Sequence, residues 1–361
     1  VCFFPQLVAG PIVHHLDVVP QFDSLKYSPK TKKNMIVGMM LFSIGLFKKL
    51  IFADYVASFS NSVFDGVSSG LIPTFLDAWV GALTFSLQIY FDFSAYSDMA
   101  VGLGLMFNIL LPINFSSPYK SKNIIEFWRN WHKTLSRFLK DYLYVPLGGN
   151  RNGSLRKYIN LFITMLIGGI WHGAGWTFIV WGVLHGIYLI INNFWIRLIN
   201  ILSLQSIQKY SVYKSLAHIL TFLSVVFGWV YFRASDLTSA NLIVGGMLGF
   251  NGLNLPHEYQ AKLEDLPFLS GSLDLIQINY TNMLAVYNSS DFLLFAAMLI
   301  IVFIFPNSQE IMSLTKCNNK QIFGYYLKWK PNKIWLFVNI TMVVICILSL
   351  TKTSEFIYYD F

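Results

Sequence analysis

His172 stands in Ile170-Trp171-His172-Gly173-Ala174-Gly175-Trp176, and no Asp, Glu, Lys or Arg occurs between Tyr158 and Ile196. An ionisable group inside so long an apolar run is costly to bury and marks a functional site by default. A neutral imidazole, with an ordinary pKa of about 6.5, takes a proton from an attacking hydroxyl at neutral pH, which is the work of a general base. Glycines at 168, 169, 173 and 175 let another helix or a thin ligand approach closely. The alternative is a structural histidine hydrogen-bonded between helices. His185 follows in Trp181-Gly182-Val183-Leu184-His185-Gly186 and reads as structural or supporting.

His132 lies in Phe127-Trp128-Arg129-Asn130-Trp131-His132-Lys133. It is either an interfacial residue or a second polar group at the cytoplasmic mouth of a site. Arg129, Lys133, Arg137 and Lys140 recur around it at helical spacing, and Trp128, Trp131, Leu135, Phe138 and Tyr142 form an opposing stripe. The spacing predicts an amphipathic helix, apolar on one side and cationic on the other. Such a helix either lies in the membrane interface, with its lysines snorkelling, or gathers an anionic cofactor on its cationic face. Arg151 is a further candidate for that role. Its segment, Gly148-Gly149-Asn150-Arg151-Asn152-Gly153, lacks the ending of a phosphate loop and reads as a turn. Gln88, Asp92, Ser94, Tyr96, Ser97 and Asp98 form a polar cluster in apolar sequence. They either line a water-filled cavity or hydrogen-bond helix to helix.

Other patterns carry no chemistry. Gly66-Val67-Ser68-Ser69-Gly70 fits G-x-S-x-G but lies in a short loop between apolar segments, not at a strand-to-helix elbow. His14-His15 has no spaced partner for a metal. The three cysteines, Cys2, Cys317 and Cys346, are too widely spaced for a disulfide framework or a metal site.

The elements that must position these residues are membrane helices. The 361 residues are 55% hydrophobic, 17% aromatic and only 12% charged. Soluble domains carry about 25% charged residues, so the composition excludes an ordinary cytosolic enzyme and a disordered chain. The net charge of +8 belongs in cytoplasmic loops, which makes nucleic acid a poor partner. Apolar runs predict spans at Met35–Phe52, Phe75–Phe93, Met99–Leu111, Tyr158–Trp176, Thr177–Ile196, Leu216–Phe232, Phe292–Phe305 and Ile334–Leu350. Residues 119–157 hold nine Lys or Arg against two acids and read as a cytoplasmic amphipathic segment. Residues 233–291 hold two basic and six acidic residues and read as extracytoplasmic. Residues 307–333, with five lysines and one Glu, return to the cytoplasm, and the C-terminus then lies outside. Loop 53–73 has no Lys or Arg and reads as external, so two full spans after it would put 119–157 on the wrong side. One of those two, with Met99–Leu111 the candidate, is therefore expected to be re-entrant or half-spanning.

Four stretches together resemble the membrane-bound O-acyltransferases, in the bacterial branch that acetylates exported polysaccharides. They are Phe4-Pro5-Gln6-Leu7-Val8-Ala9-Gly10-Pro11-Ile12, the run from Gln88 to Ala100, Phe127 to His132 continued by Asp141 to Arg151, and Gly168 to Ala174. The resemblance is dense over residues 1–235. One departure is Asn130, where an arginine is usual. The resemblance implies an all-α polytopic fold: a ring of transmembrane helices around a thin central region, with a cytoplasmic amphipathic or re-entrant segment. It implies one membrane domain over residues 1–361, and the chain, which begins with Val1, is expected to lack the family's first helices. The family's histidine matches His172, and its second polar position matches His132. The implied donor is cytoplasmic acetyl-CoA, a substrate rather than a bound cofactor, whose anionic 3′-phospho-ADP end suits Arg129, Lys133, Arg137, Lys140 and Arg151. The implied setting is the bacterial inner membrane. The implied partners are membrane lipids and a periplasmic SGNH-type acetyltransferase that completes delivery to an alginate- or peptidoglycan-type glycan.

A transporter of glycan or lipid carrier without acyl chemistry, or a structural platform for other acetylation proteins, are the alternatives. A transporter should show paired, symmetry-related broken helices, and no internal repeat is visible. The chain ends in Phe356-Ile357-Tyr358-Tyr359-Asp360-Phe361. This terminus is either an aromatic interface anchor or an acyl carrier. The hexapeptide resembles the tyrosine-bearing C-terminal motif of proteins in acyl-export systems, where Tyr358 takes the tyrosine's place as a nucleophile that holds the acetyl group.

Overall fold

Thr74 and Asp77 begin the longest helix with a reciprocal cap: the Thr74 hydroxyl accepts from the Asp77 amide at 3.4 Å, and the Asp77 carboxylate accepts from the Thr74 amide at 3.2 Å. The structure is a computed structural model that describes residues 3–6, 10–23, 30–256, 279–281, 284, 289–315 and 327–350. Its helices are α1 (His15–Asp23), α2 (Lys30–Phe47), α3 (Asp54–Ser68), α4 (Phe75–Met106), α5 (Ile124–Asn130), α6 (Lys133–Leu139) and α7 (Gly153–His172). They continue with α8 (Trp176–Ile201), α9 (Ser211–Arg233), α10 (Leu237–Met247), α11 (Ser289–Ile304), α12 (Ser308–Ile311) and α13 (Lys333–Ser349). The chain is therefore predominantly helical, as expected. A parallel pair, β1 (Asn254–Pro256) beside β2 (Asn279–Thr281), is the one addition among the described residues.

A π-helical segment, Lys48–Ala53, joins α2 to α3 into one helical path, Thr31–Ser68, of 38 residues. This path, α8 and α9 are long and apolar enough to cross a membrane. The expected separate spans Phe75–Phe93 and Met99–Leu111 are instead a single α4 of 32 residues that ends at Met106. The expected division into two elements is thereby corrected to one continuous helix. The polar interruption at Asp92–Asp98 sits inside the helix, where Asp92, Ser97 and Asp98 find Lys49, Asn114 and Lys48 as partners.

α4 is the central element. Phe85 to Ala95 is buried without a break, as befits a helix with partners all round. α2 reaches it through glycines: a Cβ at Gly102 would stand 2.7 Å from the Gly38 carbonyl oxygen, so the two backbones touch. α7 and α8 meet in the same way, where a Cβ at Gly182 would stand 2.7 Å from the Met165 carbonyl oxygen. The main core runs from α3 and α4 through α5 to α8, α9 and α10, with Phe85, Phe127, Trp131, Trp181, Trp229 and Phe232 at its centre.

Candidate active site

The predicted amphipathic helix around His132 is broken. α5, capped by Asn123 through the Glu126 amide at 2.8 Å, stops at Asn130; α6 starts at Lys133, and a second π-helical turn covers Lys140–Tyr144. Between α5 and α6, Trp131 is extended and His132 adopts a left-handed backbone, φ +41°. For a residue other than glycine this conformation is held only where the surroundings over-determine it. Those surroundings come from the segment after α4. The Ser116 amide donates to the Asn130 carbonyl at 3.0 Å, and the Lys133 amide donates to the Asn114 carbonyl at 2.9 Å. The Asn114 Oδ1 accepts from the Thr134 hydroxyl at 2.6 Å and lies 3.3 Å from His132 Nδ1. An amide oxygen only accepts, so Nδ1 carries the proton and Nε2 keeps its lone pair. Helical periodicity shows no break here, because the apolar stripe continues across it; Trp131 and Leu135 turn inward, while Phe138 and Tyr142 remain exposed.

His172 is the last residue of α7 and is 7% exposed. Its ring packs edge-on against Trp181 of α8 at 5.2 Å and Phe232 of α9 at 5.1 Å. Trp181 continues to His185 at 5.0 Å, and Trp128 of α5 donates its indole N–H to His185 Nδ1 at 3.2 Å. Trp131 faces Trp229 at 4.8 Å, and Phe93 meets His132 at 4.8 Å. One aromatic core thus holds all three histidines. In such surroundings a neutral imidazole keeps its basic nitrogen away from bulk water. His185, read from sequence as a supporting residue, is fully buried within this core.

Asp92 and Asp98 of the polar cluster join α4 to neighbouring elements. Asp98 accepts from Lys48 Nζ at 2.9 Å, from Gln309 Nε2 at 2.5 Å and from the Ser308 hydroxyl. Lys49 Nζ bridges Asp92 and Asp54 at 2.9 Å each. Ser94, Ser97 and Asp98 also line a small polar cavity with Lys48, Tyr90, Asn114, Asn307 and Gln309. Asn114 Nδ2 donates to the Ser97 hydroxyl at 3.2 Å, which links this cavity to the His132 turn. Sequence reasoning passed over Lys48 and Lys49. The signal was present: two adjacent cations inside an apolar span need anionic partners.

Of the expected donor-binding cations, Arg129, Lys140 and Arg151 are exposed and Lys133 and Arg137 are half-buried. Arg137 is committed to Asp17 of α1, and its guanidinium holds the Asp17 carboxyl below the usual carboxylate range. Arg129, Lys133, Lys140 and Arg151 make no ion pair among the described residues. Arg151 lies in the expected turn, flanked by Gly148, Gly149 and Gly153 at positive φ. Tyr358 and Tyr359 lie outside the described residues.

Comparison with known proteins gives the same family as the motifs. Residues 1–232 match the family described as MBOAT, membrane-bound O-acyltransferase family. A peptidoglycan O-acetyltransferase from Helicobacter pylori is 42% identical over 100% of this chain and 63% of its own length. A probable alginate O-acetylase from Pseudomonas putida is 43% identical over 74% of this chain and 52% of its own length. A teichoic acid D-alanyltransferase from Streptococcus thermophilus is 26% identical over 54% of this chain and 49% of its own length. The chain thus spans between about half and 63% of the length of these relatives.

Proposed function

The chain belongs to the membrane-bound O-acyltransferase family, and from that premise we propose that it moves acetyl groups from cytoplasmic acetyl-CoA across the bacterial inner membrane for O-acetylation of an exported or cell-wall polysaccharide. The observation that carries the reading is His172, buried at the end of α7 in an aromatic core that also holds His132. In this reading His172 takes the proton of an attacking hydroxyl. The hydroxyl oxygen bonds to the thioester carbon, the carbon–sulfur bond breaks, and the proton passes to the leaving thiolate. His132, fixed by Asn114, is the second polar group of the site. Arg129, Lys133, Lys140 and Arg151 meet the anionic end of acetyl-CoA; Arg137, already paired with Asp17, contributes least. Tyr358 receives the acetyl group and presents it to a periplasmic SGNH-type partner. Acetyl rather than D-alanyl is favoured because the O-acetyltransferase relative aligns with the entire chain at 42% identity, against 26% over part of it for the D-alanyltransferase.

The second reading, a transporter without acyl chemistry, would use the Lys48–Asp98 and Lys49–Asp92 pairs as its working charges. Consumption of acetyl-CoA by the purified full-length protein separates the two. The deciding variant is His172→Ala, for which acetyl transfer should fall by about 100-fold or more while the protein still inserts. Wild-type glycan acetylation in that variant would overturn the assignment of the base.

A further inference from the structure

Two buried N–H donors beside His172 have nothing to donate to. Trp181 and His185 lie four residues apart on α8 and are 2% and 0% exposed. His185 Nδ1 accepts the Trp128 indole N–H at 3.2 Å, so the neutral ring carries its proton on Nε2. Neither His185 Nε2 nor Trp181 Nε1 has a hydrogen-bond partner among the described residues. Around them stand the rings of Trp229, Phe232 and Tyr188, which supply edges and faces in place of strong acceptors. A glycine completes the arrangement. A Cβ at Gly228 would stand 2.9 Å from His185 Nε2, so any larger residue on α9 would cover that edge.

A buried donor left unpaired bears the whole cost of its desolvation, and natural cores seldom keep even one without a reason. Two of them here share a chemical character: each is a neutral donor, and both call for the same complement, an acceptor oxygen. They stand within two ring contacts of His172, at 5.2 Å from His172 to Trp181 and 5.0 Å from Trp181 to His185.

We propose that Trp181 and His185 are the donor pair for the carbonyl oxygen of the acyl donor, stabilising the oxyanion that forms when the thioester is attacked. This rests on the acyl-transfer reading above. When the hydroxyl oxygen bonds to the thioester carbon, the carbonyl electron pair moves onto oxygen and the hydroxyl proton moves to His172. The oxyanion accepts from Trp181 Nε1–H and His185 Nε2–H. The C=O bond then re-forms, the carbon–sulfur bond breaks, and His172 returns the proton to the thiolate. Donors fixed in a dry core before the charge develops favour the transition state over the bound thioester. Trp128 acts through His185 as a positioning residue, since its N–H fixes the tautomer.

The test uses the full-length protein with two unreactive donor analogues: S-acetonyl-CoA, which keeps a carbonyl oxygen, and S-propyl-CoA, which lacks it. Wild type should bind the ketone about tenfold more tightly. In Trp181→Phe, which keeps a ring and removes the N–H, that preference should shrink to under about threefold. The kcat should fall about 100-fold, while the KM for acetyl-CoA rises no more than the roughly three- to tenfold lost by the ketone. Unchanged S-propyl-CoA affinity in the variant reports an intact fold and donor site. Equal binding of the two analogues by wild type overturns the proposal, even if the variant does not fold, and assigns the two N–H groups to a buried water. A variant with wild-type kcat overturns it as well. If wild type binds neither analogue and consumes no acetyl-CoA, the acyl-transfer reading falls and this one with it.

Discussion

Asp17 and Arg137 show how a single contact redirects a residue that the sequence offers as a ligand for something else. Arg137 sits on the cationic stripe with Arg129, Lys133 and Lys140, and nothing in the spacing distinguishes it. Its partner is more than a hundred residues away on α1, where no local pattern could reveal it. The pair has a pH signature. Arg137 holds the Asp17 carboxyl below its ordinary 3.8. Its stabilisation is therefore complete above the unfolded-state value and is lost as pH falls through the lower folded-state value. Asp17→Asn should lower the unfolding temperature at pH 7, and the gap to wild type should close as the pH drops below about 4. A gap of constant size from pH 7 to pH 3, read by thermal unfolding in detergent, would mean that Asp17 acts through its shape rather than its charge. His132 makes a similar point. Its residue type and neighbourhood were readable, but its left-handed backbone depends on Asn114, which arrives from the far end of α4.

Among the elements, α12 depends on the latch at Asp98. A helix of four residues cannot hold itself together in isolation. Asn307 and Glu310 cap it reciprocally, and Ser308 and Gln309 tie it to Asp98, where Lys48 completes the set. The Lys48 side chain is 12% exposed, so the pair is desolvated and each charge depends on the other. Lys48→Met alone should cost about 3–5 kcal/mol, because it leaves Asp98 buried without its cation. Adding Asp98→Asn should recover part of that loss. Additive losses in denaturant unfolding would mean that the two groups are not coupled. This latch also explains which elements the sequence made legible. α8, α9, α11 and α13 were read nearly as they stand, since uniform apolar composition needs no partner to declare a span. α4 was divided because Asp92, Ser94, Ser97 and Asp98 look like a polar break until Lys48 and Lys49 arrive from the preceding helix. α5 and α6 were merged because periodicity persists through the turn at His132. Of the candidate site, His172 and His132 were visible as costly polar residues, whereas the missing partners of Trp181 Nε1 and His185 Nε2 were not, because an unpaired N–H can be recognised only when all its neighbours are in place.

At the scale of the whole molecule, the charge of the loops and the single α4 now agree. If α4 crosses once between loop 53–73 and residues 119–157, the side without Lys or Arg and the basic segment fall on opposite faces, as the loop charges ask. In the proposed function this arrangement creates a problem of transport: acetyl-CoA stays in the cytoplasm, while the glycan is outside. Something must hold the acetyl group between the two. Eight residues separate Leu350, the residue after α13, from Tyr358, counting Tyr358 itself. Extended, they reach about 26 Å, close to the hydrocarbon thickness of about 30 Å. A phenol deprotonated by His172 is a competent nucleophile, and the aryl acetate it forms is an activated donor for the next enzyme. Tyr358→Phe keeps the ring, and with it any anchoring in the interface, and removes only the reactive oxygen. It should abolish glycan acetylation while leaving membrane insertion intact, and mass analysis of the wild-type C-terminal peptide during turnover should find an acetyl group that is absent from the variant. Normal acetylation by Tyr358→Phe, or a wild-type peptide that never carries acetyl, would make the tail an anchor and shift the search to Tyr359 or to a carrier on another chain.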